Sequence, residues 1–176
     1  ISIYAEHDMA AKTFIAFSDA RIKNIRGISD SKADLQTLMQ IEITDYLYKD
    51  TIKNGTTPQK TLIGQQLAQA YPQAVRTGYR EVIPDIMQLA TAEDGLIKLE
   101  KHGLQSGDRI QILSEDARKV YGIKVVDENE FIVSGKLSGE VFVYGREVDD
   151  FHIVDYEAVA MLNVSATQEL FKMWQA

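Results

Sequence analysis

A chain of 176 residues, 45% hydrophobic and 26% charged, can bury one good core, or one core with a small satellite, and has the make-up of an ordinary globular protein. Its formal charge of −7, with Lys and Arg scattered rather than clustered, excludes a phosphate-binding footprint, so no nucleic-acid partner is expected. Cysteine is absent, which excludes disulfides and thiolate metal sites, and no apolar run is long enough to cross a bilayer, so no membrane partner is expected. His7, His102 and His152 lack metal-ligand spacing and read as surface or hydrogen-bonded residues; neither metal nor cofactor is expected.

Residues 1–17 alternate poorly, lack a helix cap and carry no signal-peptide pattern, and the first residue is not Met, as in a fragment cut from a longer chain. They read as the end of an upstream passenger, a strand followed by an extended leader, or else as an ordinary first strand of the domain. His7 and Asp8 could contribute to a site, although nothing in the sequence fixes them near Ser18.

The stretch from Phe17 to Ile25 brings a hydroxyl, an amine and an apolar setting together. A serine hydroxyl needs a nearby base, and Lys23 can serve Ser18 only if desolvation disfavours its charged form. Phe14, Ile15, Phe17, Ile22 and Ile25 could provide that apolar wrapping. Five residues along a helix rotate about 140° beyond a full turn, and five along a strand reach opposite faces, so the pair requires a turn or helix start between its members. Asp19 opposes activation unless it points away, for instance toward Arg21 or a helix N-terminus. The alternative makes Ser18 or Asp19 an N-cap, with Arg21 and Lys23 as solvated charges.

Beyond Gly27, Ser29-Asp30 is expected to cap a helix of about a dozen residues with Leu35, Leu38, Met39 and Ile41 on one face. Residues 42–48 read as a strand, 50–60 as a loop turning at Asn54-Gly55, 61–64 as a short strand, and 65–71 as a short helix stopping near Pro72. Gln65 could bond a backbone or a partner subunit. Residues 82–86, with Pro84, suit a sheet edge. Short strands are then expected at 96–99, 109–113, 121–126, 130–134 and 140–145, separated by Gly- and Asp-rich turns, as in a small antiparallel barrel. That module reads either as an insertion packing against neighbouring chains or as a separate binding module. A last helix over 154–174 carries Val159, Leu162, Ala166, Leu170 and Met173 at spacings of 3, 4, 4 and 3, a narrow coiled-coil seam; Tyr156, Phe171 and Trp174 widen it, which suits docking onto the same chain instead.

Three blocks, in order, resemble one known family. Ser18-Asp19-x-Arg21-x-Lys23 followed by Asn24-Ile25 is similar to the opening signature of the C-terminal intramolecular chaperone, self-cleaving domain of phage tailspikes and tail fibres, found in endosialidase tailspikes and, in related form, in myelin regulatory factors. Residues 62–75, from Leu62-Ile63-Gly64-Gln65 to Tyr71-Pro72-Gln73-Ala74-Val75, resemble its strand-into-helix block, and Val154-Asp155-Tyr156 its C-terminal helix. The chain departs from the pattern where Asn24 follows Lys23 directly, at Thr61 in place of a usual glycine, and at Gly64 in place of a usual alanine.

The resemblance implies an α+β chaperone body at 18–93 and 149–176 with a long C-terminal helix forming a trimeric bundle; residues 94–148, which have no counterpart in the three blocks, are expected as a β-rich insertion. It also implies a homotrimer that folds the passenger of the same chain in the host cytoplasm during phage assembly, then cleaves itself between Phe17 and Ser18. Ser18 and Lys23 would be the catalytic pair, supported by Asp19, Arg21, Asn24 and Gln65, and the freed domain would be absent from the mature virion. A domain of another class, a non-catalytic trimeric cap that stays attached and binds through its β-module, would keep the same residues uncut.

Overall fold

In a computed structural model of the chain, residues 10, 12, 13 and 15–175 are described. Of the strand and leader expected over residues 1–17, residues 1–9, 11 and 14 lie outside them, His7, Asp8 and Phe14 included. The chain divides into two compact units, Ile1–Asp30 and Ser31–Ala176. In the first, every residue from 15 to 30 is exposed, and among the described residues the one regular element is a 3-10 turn at Ala20–Ile22.

The second unit opens with α1 (Ser31–Leu38), shorter than the expected helix. Met39 lies outside it and is 78% exposed, so it joins no apolar face. Strand β1 (Thr44–Tyr46) pairs antiparallel with β2 (Gln59–Thr61), in register Thr44 to Thr61. Between them the expected loop holds a single helical turn, α2 (Thr51–Asn54). Asp50 nucleates it by accepting from the backbone N–H groups of Ile52 and Lys53 at 3.1 and 2.9 Å, and Gly55 ends it at φ 72°. Helix α3 (Gly64–Ala70) stops ahead of Pro72, where a second 3-10 turn, Pro72–Ala74, leads into β3 (Val75–Val82).

Seven strands make the main sheet, in the order β3, β9, β4, β5, β8, β7, β6. They comprise β3, β4 (Gln88–Glu93), β5 (Leu96–Lys98), β6 (Arg109–Leu113), β7 (Arg118–Val125), β8 (Glu130–Val133) and β9 (Gly139–Val154). Because β9 pairs with both β4 and β6, all strands but β3 close into a six-stranded barrel. The five expected short strands all form, but β3 and β4 were not anticipated. The barrel thus begins at Gln88, ahead of the 94–148 segment expected for the insertion. Strand β4 buries only Ala90 and Ala92, small side chains that give a weak strand signal but fit a narrow interior. Phe131, Ile97, Ile110 and Val143 are fully buried there, each contributing about 1.5–3 kcal/mol on burial.

Strand β9 is the structural beam of this unit. Residues 139–146 line the barrel, and residues 147–154 pair with β3, an edge strand; of residues 82–86, expected as an edge segment, only Val82 belongs to a strand. Opposite β6 the register slips by one residue between Val143 and Gly145, leaving Tyr144 as a bulge. Bulges re-aim side chains, and the Tyr144 hydroxyl donates to buried Asp50 at 2.8 Å, tying α2 to the barrel. Burial and the Asp50 carboxylate push the Tyr144 phenol up to about 12. Asp50 is held below the usual carboxylate range, chiefly by the Lys53 backbone N–H.

Helix α4 (Tyr156–Gln175) follows β9 and packs on α1 and on the Pro72–Ala74 turn. Its buried residues are Leu162 and Ala166, so the middle of the expected coiled-coil seam is used within the chain, while Leu170 and Met173 stay exposed. Val164, Phe171 and Trp174 project on a different side of the helix and are also exposed, with the Phe171 and Trp174 rings 6.0 Å apart.

Candidate active site

The 3-10 turn supplies the bend that Ser18 and Lys23 need. Asp19 caps it: its Oδ1 accepts from the Arg21 backbone N–H at 2.8 Å, while the Ile22 and Lys23 N–H groups close on the carbonyls of Asp19 and Ala20. Fixing the turn at both ends folds five residues back on themselves, and Lys23 Nζ donates to Ser18 Oγ at 2.6 Å. The two functional atoms the sequence singled out are in direct contact.

The Asp19 carboxylate is engaged elsewhere. Arg21 Nε donates to Oδ1 at 3.0 Å and Nη2 to Oδ2 at 2.7 Å, a two-pronged pairing suited to a guanidinium. The Arg21 side-chain bonds, then its backbone N–H, hold Asp19 below the usual carboxylate range, and Asp19 in turn raises Arg21. Both carboxylate oxygens are therefore occupied by Arg21, which is the arrangement that leaves Lys23 to Ser18.

What the described residues do not supply is cover. Ser18 and Lys23 are exposed, and of the expected wrapping residues Ile15, Phe17, Ile22 and Ile25 are 91%, 100%, 70% and 74% exposed. The geometry of a Ser–Lys pair is thus in place without the desolvation that a lysine base requires. The same chain that buries Ile97 and Ile110 completely leaves this stripe open, and Ile28 next to it is fully exposed.

Other expected residues fall differently. Asn24 is exposed directly after Lys23. Gln65 lies on α3 in the second unit with its side chain exposed; the glutamine that bonds there is its neighbour Gln66, whose Oε1 accepts from Thr44 Oγ1 at 2.8 Å. A Cβ on Gly64 would come within 2.7 Å of His152 Cβ, so the glycine that replaces the usual alanine is matched to the close passage of β9 over α3. The Nδ1 of His152 is buried there without a hydrogen-bond partner. His102 is structural: Nδ1 accepts from the Leu104 N–H, Nε2 lies 3.0 Å from the Asp127 carbonyl, and the ring packs edge-on against Phe131. Among the described residues, no group of three or more His, Asp or Glu side chains could hold a metal, and no helix is long and apolar enough to cross a membrane.

No curated protein matches the chain. One family does: the chaperone of endosialidase, a peptidase family by name, whose model matches residues 18–76. The match starts at Ser18, takes in the Ser18–Lys23 turn and runs through α3 to the first residues of β3. It leaves the barrel and α4 uncovered, about a third of the chain being matched. Over residues 18–76 the chain is therefore similar to the chaperone-of-endosialidase family, the one that its sequence blocks resemble.

Proposed function

We propose that this chain is a C-terminal intramolecular chaperone that drives trimerisation and folding of a phage tail-fibre or tailspike passenger on its own N-terminal side, then frees it by one self-cleavage between Phe17 and Ser18. The observation that carries the reading is the 2.6 Å contact between Lys23 Nζ and Ser18 Oγ at the first residue of the family match. Fibres of intertwined strands have many non-local contacts and fold slowly. A trimerising domain raises the effective concentration of three passengers and sets their register. Cutting afterwards makes assembly irreversible.

In this reading a neutral Lys23 takes the Ser18 hydroxyl proton as Oγ attacks the Phe17 carbonyl carbon. The C–N bond to Ser18 breaks, the lysine returns the proton to the departing nitrogen, and Phe17 is left as an ester on Ser18 Oγ. Water hydrolyses that ester, giving a Phe17 carboxylate and restoring the serine hydroxyl. Neutral lysine demands desolvation, and the exposed stripe of Ile15, Phe17, Ile22, Ile25 and Ile28 is the surface that neighbouring copies would cover. The trimer axis would use the exposed side of α4 bearing Val164, Phe171 and Trp174, since Leu162 and Ala166 are already buried within the chain. The reaction belongs in the host cytoplasm during assembly, with the cut domain absent from the finished virion.

Exposure of both Ser18 and Lys23 favours a second reading, a trimeric cap that stays attached and binds through its barrel. Intact-mass spectrometry of the chain behind its natural upstream segment decides between them, beside Ser18→Ala and Lys23→Ala. Splitting between Phe17 and Ser18 in the parent, with both variants whole, is the expected result. Uncut trimers in all three cases would make the domain a permanent clamp.

A further inference from the structure

Where the exposed segment joins the folded unit, a second serine sits against a lysine, and this one is buried. The Ser31 side chain opens α1 and is 9% exposed. Its hydroxyl donates to Glu169 Oε2 at 2.6 Å and accepts from Lys172 Nζ at 2.7 Å, and the lysine also reaches Glu169 Oε2 at 3.2 Å. Farther along α1, Asp34 Oδ2 accepts from Ser165 Oγ at 2.5 Å. The Ser31 hydroxyl, then Lys172, hold the Glu169 carboxylate below its usual range, so it stays charged at neutral pH. Each group in the cluster has a partner, which is the pattern of a structural clamp.

The clamp joins distant parts of the sequence. Ser31 and Glu169 are 138 residues apart. Helix α1 has eight residues, well below the length of about 12–15 at which an isolated helix becomes even marginally stable, so it depends on α4 for its existence. The preceding residues 15–30 bury no side chain. During synthesis Ser18 and Lys23 are made long before α4, and a pair able to cut at that stage would release a passenger not yet assembled.

We infer that Glu169 and Lys172 are positioning residues for self-cleavage: by clamping Ser31 they anchor the segment that carries the Ser18–Lys23 turn, and they make cutting wait until the last helix has docked. The inference rests on the cleavage reading above. Neither residue touches the reacting atoms, so the clamp alters how fast the turn is used and not the protonation that drives it.

The test uses the full chain behind its natural upstream segment, with Glu169→Leu, Lys172→Met and the conservative Glu169→Gln, whose amide oxygen still accepts from Ser31. Self-cleavage is followed by mass against pH, oligomeric state by light scattering, and the integrity of α1 by trypsin nicking after Lys32. Glu169→Leu and Lys172→Met are expected to nick at least about tenfold faster and to cut themselves at least about tenfold more slowly. Their pH profiles should keep the parent midpoint, their trimers should persist, and Glu169→Gln should recover most of the rate. Self-cleavage at the parent rate in variants that nick faster at Lys32 overturns the inference, and so does parent-like resistance at Lys32. A parent that never cuts defeats the proposed function instead, and nicking after Lys32 then still reports whether the clamp holds α1.

Discussion

The barrel and the exposed segment at residues 15–30 use the same residue types to opposite ends. Ile97, Ile110 and Ile112 sit at 0–1% exposure inside the barrel, whereas Ile15, Ile22, Ile25 and Ile28 stand at 70–102% in the segment. In the barrel every strand finds partners and the apolar side chains fill a closed interior. In the segment one 3-10 turn and the Asp19–Arg21 pairing give local shape with no burial. The contrast shows that shape and environment are separate here: the atoms of the Ser18–Lys23 pair are aligned by five residues of sequence, with no burial among the described residues around them.

The largest expected effect breaks the barrel half of that contrast. Phe131→Ala removes a fully buried ring and should cost about 3–5 kcal/mol in denaturant unfolding. Ile25→Ala in the uncut single chain should fall within about 0.5 kcal/mol. A loss above that size would mean that the chain itself already buries the segment.

Between these lies the Tyr144 bulge. Tyr144→Phe leaves a buried Asp50 oxygen without its donor and should cost about 1–2 kcal/mol. The phenol is raised from 10.0 to about 12, so its contribution is fully present below 10 and is lost as pH climbs toward 12. Unfolding measured across that window should therefore show the parent converging on Tyr144→Phe at the alkaline end; parallel curves would mean that the hydroxyl contributes nothing. The Asp50 side of the bond, with its lowered carboxyl, fails in the opposite direction, as pH falls.

The smallest effect on stability sharpens the segment half. Arg21→Ala should leave the melting temperature unchanged, since the ion pair is exposed. It should nevertheless slow the proposed self-cleavage by about tenfold, because a carboxylate freed beside a lysine base opposes its activation. Parent-like cleavage in this variant would remove Arg21 from the site.

Much of this was legible in the residues. The spacing of Ser18 and Lys23 demanded a turn, and the 3-10 turn is there; Asp19 was expected to point away, toward Arg21 or a helix N-terminus, and its carboxylate pairs with Arg21. The barrel strands declared themselves through Gly- and Asp-rich turns. Strand β4 did not, because its inward residues are alanines, and β3 was hidden by Arg76, Gly78, Arg80 and Glu81 on an edge that needs little apolar pattern. The α2 turn was missed although Asp50 carries an N-cap signal, since a four-residue helix has no periodicity to read. The seam on α4 read either as a contact with neighbouring chains or as docking onto the same chain, and Leu162 and Ala166 are buried within the chain itself. Spacing along one helix identifies a contact face without saying whose surface meets it.

The way β9 enters and leaves the barrel has one further consequence. The chain goes in past Met87 and comes out past Tyr144, and the two are joined by a hydrogen bond of 3.0 Å from the Met87 N–H to the Tyr144 carbonyl; Ile83 and Arg146 are joined the same way at 2.8 Å. Gly145 lets this neck close, because a Cβ there would strike the Ile83 carbonyl oxygen at 1.8 Å. Doorway and exit are thus one hydrogen-bonded rung. Everything between them is a cassette: a tight turn could replace it without moving the ends, and so could an unrelated module whose termini lie side by side.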